Sequence, residues 1–363
     1  MRLQEIQLVN FRKHKELVFA PSEAITVVYG PNGSGKTNIL EAVHYCTLAR
    51  GLNRSLDREC LNFDAGYFLL QGTFADDRGI ELSVKVSYEK NVEKKIFINS
   101  DELKKYSQLI GRIPCVTFSP MELSLVNGSP QERRRFMDNA LSQTNKSYLD
   151  DLLQYRRVLQ QRNTLLGAVN EKGMDRDSLE VWTEKLTQLA CSIVSERLAF
   201  IERLFVYIEP VYEQLGLGEV PGISYRSAAG RHANEIAPEE LFSFMMQRFR
   251  EIEHQEIFRK QSLAGPHRDD LVFRFNDTDV KKYASQGQLR TFLIAVKLAL
   301  HTLVSDTTGE RPLFLLDDLF SELDGTRIEK ILEQLEGAGQ SIITATDRKD
   351  GSGVRSVSIE DLL

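Results

Sequence analysis

A strand, a glycine-rich loop and a helix in direct succession restrict the fold of this chain more than any other feature. Ile25-Thr26-Val27-Val28 is a β-branched run, Gly30-Pro31-Asn32-Gly33-Ser34-Gly35-Lys36-Thr37 follows it, and Ile39, Leu40 and Val43 then recur at helical spacing. The octet fits G-x-x-x-x-G-K-[ST] in the strand-to-helix setting that gives this motif its meaning. Glycines let successive backbone N–H groups turn inward around an anion with no Cβ in the way, and the helix opening near Lys36 adds the positive end of its dipole. Residues Gly30 to Asn38 are therefore expected to cradle phosphates, with Lys36 on the β- and γ-phosphates and Thr37 on Mg²⁺. An α/β nucleotide-binding core is the fold class that such a loop requires.

What the nucleotide serves must come from the rest of the chain. The formal charge of −6 over 363 residues argues against a generally basic nucleic-acid binder, so any DNA contact has to be regional. With 42% hydrophobic and 27% charged residues there is core enough for two or three domains. The opening Met1 to Glu16 has no apolar h-region, and no run of 18 apolar residues occurs, so a cytoplasmic protein is expected. Cys46, Cys60, Cys115 and Cys191 lack metal-site spacing and read as free thiols.

Residues 1–29 read as three short strands, with the cationic stretch Phe11-Arg12-Lys13-His14-Lys15 between the first two. Alternating polarity over 67–98 predicts an antiparallel meander, and Pro114 to Pro120 a buried strand returning to the core. Ser129, Pro130 and Glu132 then match a capped helix start. Tyr148, Leu152, Tyr155, Leu159, Arg162 and Leu166 step by fours and threes, as do Trp182, Leu186, Leu189, Ile193, Glu196 and Phe200. Gly167 and Gly173 lie between the two runs, which predicts a short antiparallel helical hairpin interrupted at Arg162 and Glu196. A further helix over Pro238 to Gln261 leads to strand-like Leu271 to Phe275. The domain reading is 1–128 for the N-terminal half of a head, 129–260 for a helical lobe and 261–363 for the C-terminal half of the head.

Leu313-Phe314-Leu315-Leu316 ends in Asp317-Asp318, an apolar strand delivering carboxylates. Asp317 is the expected Mg²⁺-side carboxylate and Asp318 the candidate catalytic base, with Lys36 the catalytic cation. Ser285, Gly287 and Gln288 open a strong helix some 30 residues upstream and offer a second anion site, although a plain helix cap would also explain them. Ser341 to Asp347 reads as another core strand whose end reaches the site.

Taken together, Gly30 to Val43, Phe118 to Asp138, Ala264 to Leu271, Ala284 to Thr291 and Leu315 to Asp324 resemble the RecF family of bacterial DNA replication and repair proteins, SMC-like members of the ABC-type ATPases. The resemblance implies an ABC/SMC-like P-loop ATPase head with an antiparallel β subdomain and an inserted helical lobe. It also implies ATP and Mg²⁺ as cofactors and a head-to-head homodimer in which Ser285 and Gln288 meet the partner's ATP. Duplex and gapped DNA, RecR and RecO, and indirectly RecA, are the implied partners, with hydrolysis resetting a DNA-bound dimer. Asp318 stands where cassette ATPases usually carry glutamate, and Thr346 or Asp347 where many carry a switch histidine; both suggest slow turnover. Clustered cations are the DNA candidates: Arg12, Lys13 and Lys15; Arg133, Arg134 and Arg135; Lys281 and Lys282. The turn Gly265 to Asp270 has no evident role of its own, with His267 and Arg268 open as nucleotide or DNA contacts. The alternative is an SMC-like ATPase that reaches DNA only through a partner protein. A transporter subunit is disfavoured by the roughly 270 residues between loop and aspartate strand, and a kinase or GTPase by the lack of an acceptor or base-reading element.

Overall fold

The computed structural model describes residues 1–363 apart from 53–54, 173–175, 217, 219, 231–235, 277, 322 and 352, and apart from the side chains of 169–172, 176, 282 and 283. The chain divides into two compact units, one of Met1–Leu123, Tyr207–Gly218 and Ser285–Leu363, the other of Ser124–Val206 and Glu219–Ala284. This differs from the sequence reading at three places, the first being residues 124–128, expected in the head and grouped with the helical unit. Residues 261–284, expected in the head, group with the helical unit because Asp270–Phe275 pairs antiparallel with Pro221–Arg226 and with Thr278–Asp279. Tyr207–Gly218, which carries the end of the helix Arg176–Gln214, groups with the first unit.

At the centre of the first unit lies a parallel sheet of five strands, in spatial order Val354–Ser358, Ile25–Tyr29, Ser341–Ala345, Leu313–Leu316 and Cys115–Phe118. The inner strands are largely apolar because parallel sheets are covered on both faces, and every residue of Leu313–Leu316 and Ser341–Ala345 is buried. The loop helix Lys36–Leu48 and the largely buried helix Gln286–Thr308 belong to this layer. Strand register brings the ends of three strands level: Ala345 pairs with Tyr29 and Leu316 with Ile343. Tyr29, Asp317 and Thr344 therefore come out at one edge, the carboxyl ends where open α/β sheets bind ligands.

The expected meander is present over Tyr67–Ala75, Glu81–Glu89 and Lys95–Ile98, and it extends through Arg2–Phe11 and His14–Phe19 into a six-stranded antiparallel sheet that Asp101–Glu102 completes. A register shift between Leu3 and Glu5 lets Leu3, Ile6 and Leu8 all turn inward. They share one core with Phe68, Leu70 and Phe74 and with Ile39, Leu40 and Val43 of the loop helix. Burying that face fixes the helix against the sheet, and so fixes the loop at its start. Cys46, Cys60 and Cys115 are free and buried there, as expected.

The helical unit holds Pro130–Thr144, Lys146–Lys172, the first part of Arg176–Gln214, and Pro238–Arg259. Gly167, expected in a turn, lies inside the helix Lys146–Lys172; Gly173 is outside the described residues. Ser129 precedes the helix Pro130–Thr144 as expected, with proline in its first turn, but its side chain makes no capping hydrogen bond. Arg162, expected to interrupt a coiled-coil seam, is instead fully inside. It donates to Glu256 Oε2 at 2.6 Å, Ser262 Oγ at 2.7 Å and Thr183 Oγ1 at 2.8 Å, and its guanidinium lies over the ring of Phe249.

Candidate nucleotide site and the cations expected to meet DNA

The loop closes on itself through Lys36. Its Nζ donates to the carbonyl oxygens of Gly30 at 2.7 Å and Pro31 at 2.8 Å, and burial pushes its pKa down, which the nearby Asp317 and Asp318 carboxylates partly offset. Gly35 has φ 104°, a left-handed conformation, and a Cβ there would stand 2.8 Å from the His14 ring, whose Nε2 lies 3.1 Å from the Gly35 carbonyl oxygen. His14, read from sequence as part of a cationic stretch between two strands, is a buried prop under the loop. Lys13 Nζ reaches the Gly33 carbonyl oxygen. The Ser34 hydroxyl is buried with no hydrogen-bond partner in the protein, an orphaned polar atom in the stretch expected to hold phosphate.

Asp317 is fixed from two sides. Thr37 Oγ1 and Thr344 Oγ1 each donate to Asp317 Oδ1 at 2.7 Å, and the Asp318 N–H donates to Thr344 Oγ1 at 2.9 Å. Thr344 is a site residue that sequence reasoning placed only in a strand; its neighbours across the sheet give it this position. A hydroxyl and a carboxylate side by side are hard oxygen ligands of the kind Mg²⁺ takes together with substrate phosphates. Among the described residues no cluster of three or more His, Cys, Asp or Glu could hold a metal alone, so the donor set fits an ion that arrives with a nucleotide. Asn32, Gly33, Gly35, Lys36, Thr37 and Asn38 line one cavity of about 570 Å³ with Asp317, Asp318, Thr344 and Thr346. Asp347 is not among its walls; it accepts from Thr346 Oγ1 at 2.9 Å. Asp318 adopts φ 49° and its carbonyl oxygen accepts from Arg290 Nη2.

Ser285, Gly287 and Gln288 do not line this cavity. Ser285 is the N-cap of the helix Gln286–Thr308 in a reciprocal capping box: Gln288 N–H donates to Ser285 Oγ at 3.3 Å and Ser285 N–H to Gln288 Oε1 at 2.9 Å. Arg290, one turn into that helix, ties it to the Asp317-Asp318 segment, a link no local sequence pattern carries.

Comparison with known proteins decides the family. A family model described as RecF/RecN/SMC N terminal domain matches residues 2–357. A protein of Prosthecochloris aestuarii called DNA replication and repair protein RecF is 51% identical over all of this chain and 98% of its own length. Another so named, from Chlorobium luteolum, is 48% identical with the same coverage. The chain belongs to the RecF family. A solved structure of the recombination mediator protein RecF-ATP in the RecFOR pathway is 33% identical with a TM-score of 0.90, covering 96% of this chain and 93% of its own. An Smc head bound to the C-winged helix domain of ScpA, 14% identical with a TM-score of 0.56 over 96% of this chain and 90% of its own, shares the fold. The chain is thus a RecF-type DNA replication and repair protein of the SMC-like ABC ATPase class.

In this RecF-family chain the cations expected on DNA part company. Arg12 is corrected: its guanidinium grips the buried Glu41 carboxylate through Nε and Nη2 at 2.8 Å each and also donates to the Glu59 carbonyl oxygen at 2.7 Å and to Ser55 Oγ. These four hydrogen bonds hold the loop helix to the β-hairpin. Arg133 is corrected for the same reason, being buried in a two-point pair with Asp270 at 2.7 and 3.1 Å. Lys13 lies on the phosphate loop. Lys15 is exposed on its strand, and Lys281 is exposed with Nζ 3.2 Å from the Gly128 carbonyl oxygen. The side chain of Lys282 is outside those described. Arg134 and Arg135 line a cavity in the helical unit together with His267; Arg268 is exposed.

Proposed function

We propose that this chain is an ATP-controlled DNA-binding switch of recombinational repair and replication restart. ATP with Mg²⁺ binds at the loop, two chains close head to head over two nucleotides, closure assembles a DNA surface, and slow hydrolysis reopens it. The observation that carries this reading is the Thr37–Asp317 hydrogen bond beside Lys36, which sets cation, hydroxyl and carboxylate around one cavity. Lys36, released from the Gly30 and Pro31 carbonyl oxygens, would donate to the β- and γ-phosphates. Ser34 and the loop N–H groups would hold the polyphosphate. Thr37 and Asp317 would hold Mg²⁺, which supplies charge neutralisation of the phosphates. Asp318 would accept the proton of the attacking water. Ser285 and Gln288 would meet the ATP of a second chain, in keeping with their absence from the walls of their own cavity. The RecFOR pathway named for solved relatives supports RecO and RecR as the proposed partners. RecA as the indirect partner, gapped duplex as the DNA and the cytoplasm as the location follow from the family resemblance.

The second reading, an ATPase that reaches DNA only through a partner, is favoured by the pairing of Arg12 with Glu41 and of Arg133 with Asp270. Sedimentation with and without Mg²⁺-ATP, repeated with a gapped duplex, separates the two. The switch requires a nucleotide-dependent dimer that carries DNA with it. A dimer that forms with ATP yet leaves the duplex behind supports the second reading.

A further inference from the structure

The turn Ala264 to Leu271 builds one wall of a cavity of about 370 Å³ that lies wholly within the helical unit. Gly265 has φ 115°, and a Cβ there would stand 2.5 Å from Tyr155 Oη, so only glycine lets the turn close on the helix. His267 is locked behind it: Tyr155 O–H donates to Nδ1 at 2.6 Å, and Nε2 faces the Ser262 carbonyl oxygen at 3.2 Å. Burial pushes His267 down to about 4, so it is neutral at physiological pH and adds no charge.

The charge comes from arginines. Four guanidiniums, of Arg134, Arg135, Arg156 and Arg197, line the cavity against the single carboxylate of Asp138. Asp138 accepts from Arg197 at 2.8 Å and from Arg156 at 3.4 Å, while Glu132 lies 3.3 Å from Arg135. Asp270 is paired with Arg133 and the buried Asp269 lies behind Arg134 and Arg197, so the walls keep a positive excess smaller than the four guanidiniums alone would give. Arg134 has no carboxylate within ion-pair distance among the described residues; it donates to the Asp269 carbonyl oxygen at 2.6 Å. Its pKa is pushed down, first by burial and then by the neighbouring Arg197 charge, which the Asp270, Asp269 and Asp138 carboxylates only partly offset. The remaining walls, Leu152, Leu159 and Pro266, are apolar.

We propose that this cavity binds a nucleoside monophosphate unit, the phosphate monoester on the guanidiniums of Arg134, Arg135 and Arg156 and the base or sugar against the apolar wall. A terminal monoester carries a charge of about −1.5 to −2 near neutral pH and a running diester a single charge, so guanidiniums clustered at one point favour the monoester. A pocket also takes an end or an extruded unit more readily than a continuous backbone. The unit has two sources, a free nucleotide or the phosphorylated end of a DNA strand. The second source rests on the DNA reading above.

The test uses the full-length chain carrying Lys36→Ala, which removes the loop as a competing phosphate site. Deoxythymidine 5′-monophosphate should bind at least about tenfold more tightly than thymidine, and Arg156→Gln, at an exposed position, should erase that difference, as should Arg135→Gln. A single-stranded oligonucleotide with a 5′-phosphate should outbind its unphosphorylated twin by a similar factor if the source is a strand end. Equal binding of the two strands with the monophosphate preference intact assigns the site to free nucleotide. Equal binding of monophosphate and thymidine, binding of neither, or arginine variants that behave as the parent would overturn the proposal. Loss of unphosphorylated duplex binding by the chain with an intact loop would sink the DNA reading and leave the monophosphate result standing.

Discussion

At the residue scale, the proposed chemistry rests on the loop lysine and the two aspartates, and they separate by what each touches. Lys36→Ala removes the cation proposed to meet the β- and γ-phosphates; a charge-assisted hydrogen bond contributes about 1.5–3 kcal/mol, so ATP affinity should fall about tenfold to a hundredfold by calorimetry. Asp318→Asn leaves the Thr37–Asp317–Thr344 group untouched. Mg²⁺-ATP binding should persist while turnover drops by about 10²–10⁴, the range for a general base, as measured by phosphate release. Unchanged turnover would move the base elsewhere, Glu322 being the next residue to substitute. The motif residues were legible because phosphate binding imposes a local spacing that survives in one sequence window. Thr344 was not, because its place follows from strand order and register. Arg12 and Arg133 were misread for a related reason: a basic run looks the same whether its carboxylate partner, Glu41 or Asp270, is distant in sequence or absent.

At the element scale, the helix Gln286–Thr308 has two demands on its first residue. Ser285 caps it, and loss of such a cap costs about 1 kcal/mol, so Ser285→Ala should lower the melting temperature by roughly 2–4 °C. If Ser285 also meets the ATP of a second chain, mixing this variant with Lys36→Ala should restore part of the ATPase activity that each lacks alone. A thermal shift without recovery on mixing reduces Ser285 to a cap. The helical unit depends on a buried ion pair, Arg162 with Glu256, at 1% and 0% exposure. Arg162→Met strands the Glu256 carboxylate and should destabilise by about 3–5 kcal/mol in denaturant titrations, whereas a double change to apolar residues should recover much of the loss. Helical periodicity over 148–200 announced these helices correctly, yet it marked Arg162 as a flaw in a seam because a heptad reading supplies no third element to receive it. The strand Pro221–Arg226 escaped notice since it opens on Pro-Gly, which by itself signals a turn; only the antiparallel ladder with Asp270–Phe275 makes it a strand.

At the scale of the whole molecule, a chain of formal charge −6 must meet DNA through local groups of cations. With Arg12 and Arg133 held by carboxylates and Lys13 on the loop, Lys15 of the first unit and Arg134, Arg135 and Lys281 of the second remain as the proposed contacts. Closure of two chains would double the phosphates neutralised, and each contact contributes about 0.9 to the slope of log affinity against log salt on duplex DNA. The most direct measurement is DNA affinity across a salt series, with and without Mg²⁺-ATP. The account predicts that ATP tightens binding and roughly doubles the slope, that Lys36→Ala abolishes both effects, and that Lys15→Ala flattens the slope while ATP affinity stays unchanged. Equal affinity and equal slope in the two nucleotide conditions would contradict it.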